Sequence, residues 1–287
     1  MKLKIVLNKG IYLMFALATL GILNSCQPDE VGNGNGLTDA NVDASFTITP
    51  VAGAVNKYTL SAQTNNVLAS KWDVGEGEYA GKMIETVSFP DAGTYTIVHT
   101  AIGKGGATKT ATKQIVVATS DPVAGNIIQG GKFESATDHA KWTILNISAS
   151  GAAWTFNNGS ATIKGGGWSQ QGIYQAVQVQ ANKDYKIDMK VSGSGASNTW
   201  FEVFVSKTAP VQNSDYSADG KRMGLSTWDG CGNAPFSGKL SVVGCTGSGN
   251  TVRFTEAGTV YLVIKCGGEN IGTTGISITN VEMRGSN

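Results

Sequence analysis

Lys183-Asp184-Tyr185-Lys186-Ile187-Asp188-Met189-Lys190-Val191 alternates without a break. Tyr185, Ile187, Met189 and Val191 fall on one side and charged residues on the other, the period-two pattern of a strand with one buried face. Comparable short runs lie on both sides of it. Ile173 to Val179 precedes it; Trp200 to Val205, Phe254 to Leu262 and Ile276 to Met283 follow, separated by segments rich in Gly, Ser, Thr and Asn. Residues 126–286 therefore read as one β-rich block with turn signals between strands. The block holds every tryptophan of the chain but Trp72 and every cysteine but Cys26.

The totals agree with sheets rather than helices. The 287 residues are 41% hydrophobic, only 15% charged, and include 38 glycines. Helical bundles favour Ala, Leu, Glu and Lys, whereas this balance suits turn-rich strands. The formal net charge is +1, with no run of Lys or Arg. A phosphate backbone would find no electrostatic footprint here, so nucleic acid is not an expected partner.

Lys2, Lys4 and Lys9 precede an apolar run from Ile11 to Leu23, too short for a comfortable membrane span and suited to a secretory signal. It ends in Leu23-Asn24-Ser25-Cys26, which resembles the lipobox of bacterial lipoproteins. That resemblance implies a signal peptide over 1–25 and a lipid on Cys26. Gln27-Pro28-Asp29-Glu30 resembles the surface-export signal of lipoproteins in Gram-negative glycan degraders, which implies an outer-membrane protein facing the cell exterior. Residues 26–43 lack apolar periodicity and read as a flexible tether.

Residues 44–118 carry short alternating runs at the spacing of a sandwich of about seven strands. Trp72-Asp73-Val74-Gly75-Glu76-Gly77 and Phe89-Pro90-Asp91-Ala92-Gly93-Thr94-Tyr95-Thr96-Ile97 resemble the two signature motifs of polycystic-kidney-disease (PKD) domains. The resemblance implies an immunoglobulin-like spacer, with Trp72 as the plug between its sheets. His99, alone on a strand, is read as structural or surface. Residues 118–125, with Pro122, read as a linker.

The block from 126 opens Asn126-Ile127-Ile128-Gln129-Gly130-Gly131-Lys132-Phe133-Glu134, with Trp142 eight residues on. With the later Gln180-to-Tyr185 turn and the closing strand, this resembles jelly-roll carbohydrate-binding modules of families four and twenty-two. In that family a structural calcium is often held near the opening carboxylate and an acid on the closing strand. Glu134 matches the first position; the second is Asn280, an oxygen donor without charge, which lowers affinity for a cation that seeks six to eight hard oxygens.

Sugar rings stack their C–H faces on indoles, so the expected ligand residues are Trp168, Trp200, Trp228 and Trp154, with Glu202, Gln171, Asp229 and Asn233 as polar partners. Trp168 follows three glycines and Trp228 lies in a polar turn, both suited to exposure. Phe201, Val203 and Val205 form the more apolar side of their strand, which turns Trp200, Glu202 and Phe204 the other way. Trp142 is assigned to the core. The bland alternative is that all the rings are core or turn plugs.

In an oxidising compartment Cys231 and Cys245 suit a disulfide closing about 15 residues, worth roughly 3 kcal/mol in the chain-entropy model. Connectivity stays open in the sequence, with Cys266 read as a buried thiol. Only two histidines are present, neither near a nucleophile turn, and no Cys-x-x-Cys pair exists, so a Ser–His hydrolase and a zinc site lack support. Glu134, Asp138, Glu202, Asp229 and Glu256 leave a glycosidase as a minor alternative.

Lipoprotein signal, PKD-like spacer and terminal module together resemble the surface glycan-binding proteins of polysaccharide-utilisation loci. That resemblance implies capture of a neutral polysaccharide, a β-glucan such as laminarin, beside an outer-membrane importer and its lid lipoprotein. A surface adhesin that binds another protein is the second expectation.

Overall fold

The computed structural model describes residues 41–63 and 65–286. The expected signal peptide, the lipidation site Cys26 and most of the tether lie outside the described residues. Among the described residues no helix is long and apolar enough to cross a membrane. The chain is all-β and divides into two compact units.

The first unit contains seven antiparallel strands. These are β1 (Phe46–Pro50), β2 (Lys57–Ala62), β3 (Ala69–Asp73), β4 (Tyr79–Gly81), β5 (Ile84–Ser88), β6 (Gly93–Ile102) and β7 (Thr108–Val117). Sheet order β1-β2-β5 faces sheet order β4-β3-β6-β7, an immunoglobulin-like arrangement. Trp72 is fully buried on β3, edge-on to Phe46, and its indole N–H donates to the Lys82 carbonyl at 2.9 Å. His99 is buried too, stacked on Trp72 at 4.3 Å, with Nδ1 on the Ala44 carbonyl and Nε2 on the Ser70 hydroxyl. It is a structural histidine. The tether ends earlier than 43: Val42 is buried with Ala44, Val67 and Ala101, so an apolar side chain brings that segment into the sandwich core.

The second unit is a two-sheet jelly-roll sandwich. Its strands are β8 (Thr143–Asn146), β9 (Ala153–Asn157), β10 (Ser160–Lys164), β11 (Gly166–Val179), β12 (Lys183–Gly193), β13 (Ser197–Ser206), β14 (Met223–Ser226), β15 (Phe236–Lys239), β16 (Thr251–Phe254), β17 (Gly258–Asn270) and β18 (Ile276–Ser286). One sheet runs β15-β12-β18-β10-β9, with β16 also on β12; the other runs β14-β13-β17-β11-β8. Every described pairing is antiparallel. The alternating residues Tyr185, Ile187, Met189 and Val191 enter the core between the sheets, against Phe201, Val203, Val205, Leu262 and Ile264. Residues 118–125 are not a bare linker. Val123 and Ala124 donate to the Asp121 carboxylate and Gly125 to its carbonyl, a turn that belongs to the second unit.

Candidate functional site

Strand parity in the β14-β13-β17-β11-β8 sheet decides which side chains leave the core. Phe201, Val203 and Val205 point in, so Trp200, Glu202 and Phe204 point out. On β17 the outward set is Val263, Lys265 and Gly267, and register places Trp200 beside Gly267, Glu202 beside Lys265 and Phe204 beside Val263. On β11, Gln170, Gly172 and Tyr174 occupy the same three rows. One end of this outer face is covered, because Phe204, Val263 and Leu145 form a small apolar cluster with Tyr216 from the segment after β13. Tyr216 donates its hydroxyl to the Thr208 carbonyl at 2.7 Å, closing that segment on itself.

The other end presents indoles. Trp200 lies across Gly267: a Cβ there would meet the Trp200 ring at 2.8 Å and the Gln170 Cβ at 2.5 Å. Glycine lets the ring rest against the sheet.

Trp168 comes from a β-bulge. The β11–β17 register slips between Gly166 and Ser169, so Gly167 and Trp168 together face Glu269. Gly166 has no room for a side chain, since a Cβ would sit 2.0 Å from the Glu269 carbonyl, and Gly165 is blocked by the Gly151 carbonyl at 2.3 Å. Trp168 itself has φ of 62°, left-handed backbone that a bulky L-residue rarely adopts. The conformation costs roughly 1–2 kcal/mol. It turns the indole outward, and 61% of the residue is exposed.

Trp228 follows β14 in a tight turn. Asp229 and Cys231 donate backbone N–H groups to the Ser226 carbonyl, and Gly230 has φ of 91°. Thr227 exchanges bonds with Thr199 on β13: its N–H donates to the Thr199 carbonyl at 3.1 Å and its hydroxyl accepts the Thr199 N–H at 3.0 Å. The structure joins Cys231 to Cys245 in a disulfide, Cα to Cα 6.0 Å. Trp228 is 55% exposed on this pinned loop.

The three indoles form one platform. Trp228 stands between the others, 6.4 Å from Trp168 at 25° and 6.2 Å from Trp200 at 28°, centre to centre. These are offset, near-parallel contacts in the range preferred by aromatic pairs.

Other expected ligand residues lie elsewhere. Trp154 is corrected to core. It is only 7% exposed, pairs with Ile163 in the β9–β10 hairpin, meets Phe201 edge-on, and donates its indole N–H to the Gln171 carbonyl. Gln171 is corrected as well. It shares inward parity with Ile173, and its amide is taken by the Trp154 N–H and by Asn146. Gln170, its neighbour, is the glutamine on the platform side. Asn233 donates its amide to the Thr227 carbonyl, so it braces the Trp228 loop. Glu202 is on the outer face, but Lys221 at 3.3 Å and Lys265 at 3.4 Å hold its oxygens, and Lys265 also pairs with Asp215 at 2.6 Å. Asp229 is exposed beside Trp228. Trp142 is buried against Phe133. Cys266 is a free buried thiol, pushed far up in pKa by burial, with the charge of Glu202 adding to it.

Glu134 and Asn280 are both exposed. Their segments are joined by Val281 N–H to the Gly131 carbonyl and Thr279 hydroxyl to the Lys132 carbonyl. Asn280 is an extra residue in β18 with φ of 51°. Among the described residues no three His, Cys, Asp or Glu side chains converge as a metal site. A cation at Glu134 would draw its other ligands from carbonyl, amide and hydroxyl oxygens.

No family model and no curated relative matches the chain by sequence. Solved structures with some likeness include the carbohydrate-binding modules of the β-sandwich superfamily: 12% identity, 84% of this chain and 97% of that one, TM-score 0.30. A module described as CBM4 shares 18% identity over 55% of this chain and 99% of that one, TM-score 0.30. The enzymatically active domain of tailspike protein 4 from bacteriophage CBA120 shares 12% over 60% of this chain and 23% of that one, TM-score 0.38. Scores and identities this low leave the ligand to be read from the site itself.

Proposed function

We propose that the second unit binds a neutral polysaccharide by stacking sugar rings on Trp168, Trp228 and Trp200, without cleaving it. One observation carries this reading: three contiguous, near-parallel indoles, two of them more than half exposed, are held in place by a bulge, a disulfide and a glycine. Trp168 and Trp228 lie outside the core, and Trp168 sits on strained backbone. Strain at an exposed aromatic points to use of the ring. Glu202, one row from Trp200 on the sheet, is held by two lysines.

The wider reading is a lipoprotein anchored at Cys26 in the outer membrane, with the PKD-like unit as spacer. It would capture a β-glucan of the laminarin type for an importer and its lid lipoprotein. Affinity gels with soluble polysaccharides test the ligand. Retardation by at least one neutral glucan, lost in Trp228→Ala, is expected; no retardation by any glycan would favour the adhesin reading. Release of reducing ends from a bound glucan would show an enzyme instead. Metabolic labelling with a fatty acid, absent in Cys26→Ala, tests the anchor.

A structural calcium at Glu134 and Asn280 belongs to the same proposal. A fall in melting temperature on chelation, restored by calcium and absent in Glu134→Ala, is its expected sign.

A further inference from the structure

Two carboxylates beside the platform have no cationic partner among the described residues. Glu269 is exposed on β17 at the bulge, facing Gly167 and Trp168, and its backbone carbonyl is the atom against which Gly166 is packed. Parity puts it on the outer face, one row beyond Gly267 and Trp200. Asn198 on β13 occupies the same row and donates its amide to Glu269 Oε2 at 2.5 Å. A carboxylate held through one oxygen keeps acceptor sites on both. Asp229 is exposed next to Trp228. Among the described residues neither Glu269 nor Asp229 forms an ion pair, whereas Glu202, one row inward, is held by two lysines. Two exposed carboxylates thus stand next to the platform residues in register and in sequence, outside the ion pairs of the described residues.

We infer that Glu269, oriented by Asn198, is the group that reads sugar hydroxyls beside the indoles, and that Glu269 and Asp229 together exclude acidic chains from the platform. The inference rests on the stacking reading of the same site and adds what that reading lacks, a source of polar selectivity. Stacking alone accepts any sugar with an apolar face. A fixed carboxylate accepting from hydroxyls adds charge-assisted bonds, and a uronate or sulfate brought to the same place meets like charge, an effect that weakens as salt screens it.

The test uses one glucan in three forms: the parent neutral β-glucan, its carboxymethyl derivative, and its hydroxyethyl derivative as an uncharged control for bulk. Titration calorimetry at low and high salt reads affinity. The parent and hydroxyethyl forms are expected to bind alike at low salt. The carboxymethyl form is expected to bind roughly fivefold more weakly, a gap that narrows at high salt. The double variant E269Q/D229N should close that gap without salt. Glu269→Ala should lower affinity for the parent glucan about tenfold, the size of a lost charge-assisted bond; E269Q, which keeps an acceptor, should lose less. Circular dichroism confirms that each variant is folded. Equal binding of the charged and uncharged forms by the wild type, or full affinity in Glu269→Ala, would overturn the inference and leave the indole platform standing. Failure to bind any form would remove both.

Discussion

Trp168 shows how a single residue can be placed against its own preference. Its left-handed backbone costs free energy that a glycine there would avoid. Trp168→Gly is expected to leave the unfolding free energy within about 1 kcal/mol of wild type, relief of strain offsetting glycine's greater chain entropy. The same change should weaken glycan binding roughly tenfold, the worth of one stacking ring. Calorimetry and denaturant titration on one sample separate the two effects, and a large loss of stability would show the indole to be a structural plug. Trp154 predicts the opposite split. Buried against Phe201, it should cost about 3–5 kcal/mol when cut to alanine, visible as a lower denaturant midpoint. Cys266, sealed in the core with its thiol pKa raised by burial, should resist alkylation in the native protein at pH 8 and react on unfolding. Labelling of the folded protein at this position would contradict the core described.

At the scale of elements, the β14–β15 loop depends on its covalent tie. Cys231–Cys245 ties the end of the turn that carries Trp228 to the segment after β15, and Cys245 is exposed to solvent. Cys231→Ser with Cys245→Ser should lower stability by about 2–3 kcal/mol and weaken glycan affinity, while the far-ultraviolet spectrum of the sandwich persists. Unchanged affinity would mean that the Thr199–Thr227 bonds alone hold the loop. Legibility in the sequence also divides at this scale. The strand Lys183–Gly193 could be read because its period is unbroken and one face is buried. β4 leaves no signal, since three residues, Tyr79–Gly81, are too few to show a period. The sequence points to Gln171 where the structure has Gln170 beside the platform, because parity on β11 can be counted only from the core residues beyond it. The side to which Trp154 turns is not legible, because Ala153 and Thr155 give no sign of which neighbour faces in. Glu269 gives no signal in the sequence: it follows a buried run, and the bulge that brings it opposite Trp168 exists only in the pairing of two distant strands.

At the scale of the molecule, the two units have separate cores. The second unit takes in Phe89–Gly93 as well as the chain from Val117, so the chain is kept whole: Trp72→Ala, which removes the largest side chain from the core of the first unit, is expected to leave glucan affinity unchanged, measured by the same titration. A marked loss would show that residues of the first unit take part. The division into two β-sandwiches was legible from composition, strand spacing and the Trp72 motif. The aromatic platform was less so, because it needs rings that are exposed, adjacent and parallel, and adjacency among residues 168, 200 and 228 is made by three different elements.

Indoles with centres 6.2 and 6.4 Å apart do more than offer a surface. They are close enough to exchange electronic excitation, so their near-ultraviolet dichroism should carry a coupled signal that isolated tryptophans lack. A sugar laid on them changes the polarisability on one side of that array. The protein thus carries its own optical reporter, and occupancy can be followed without a dye.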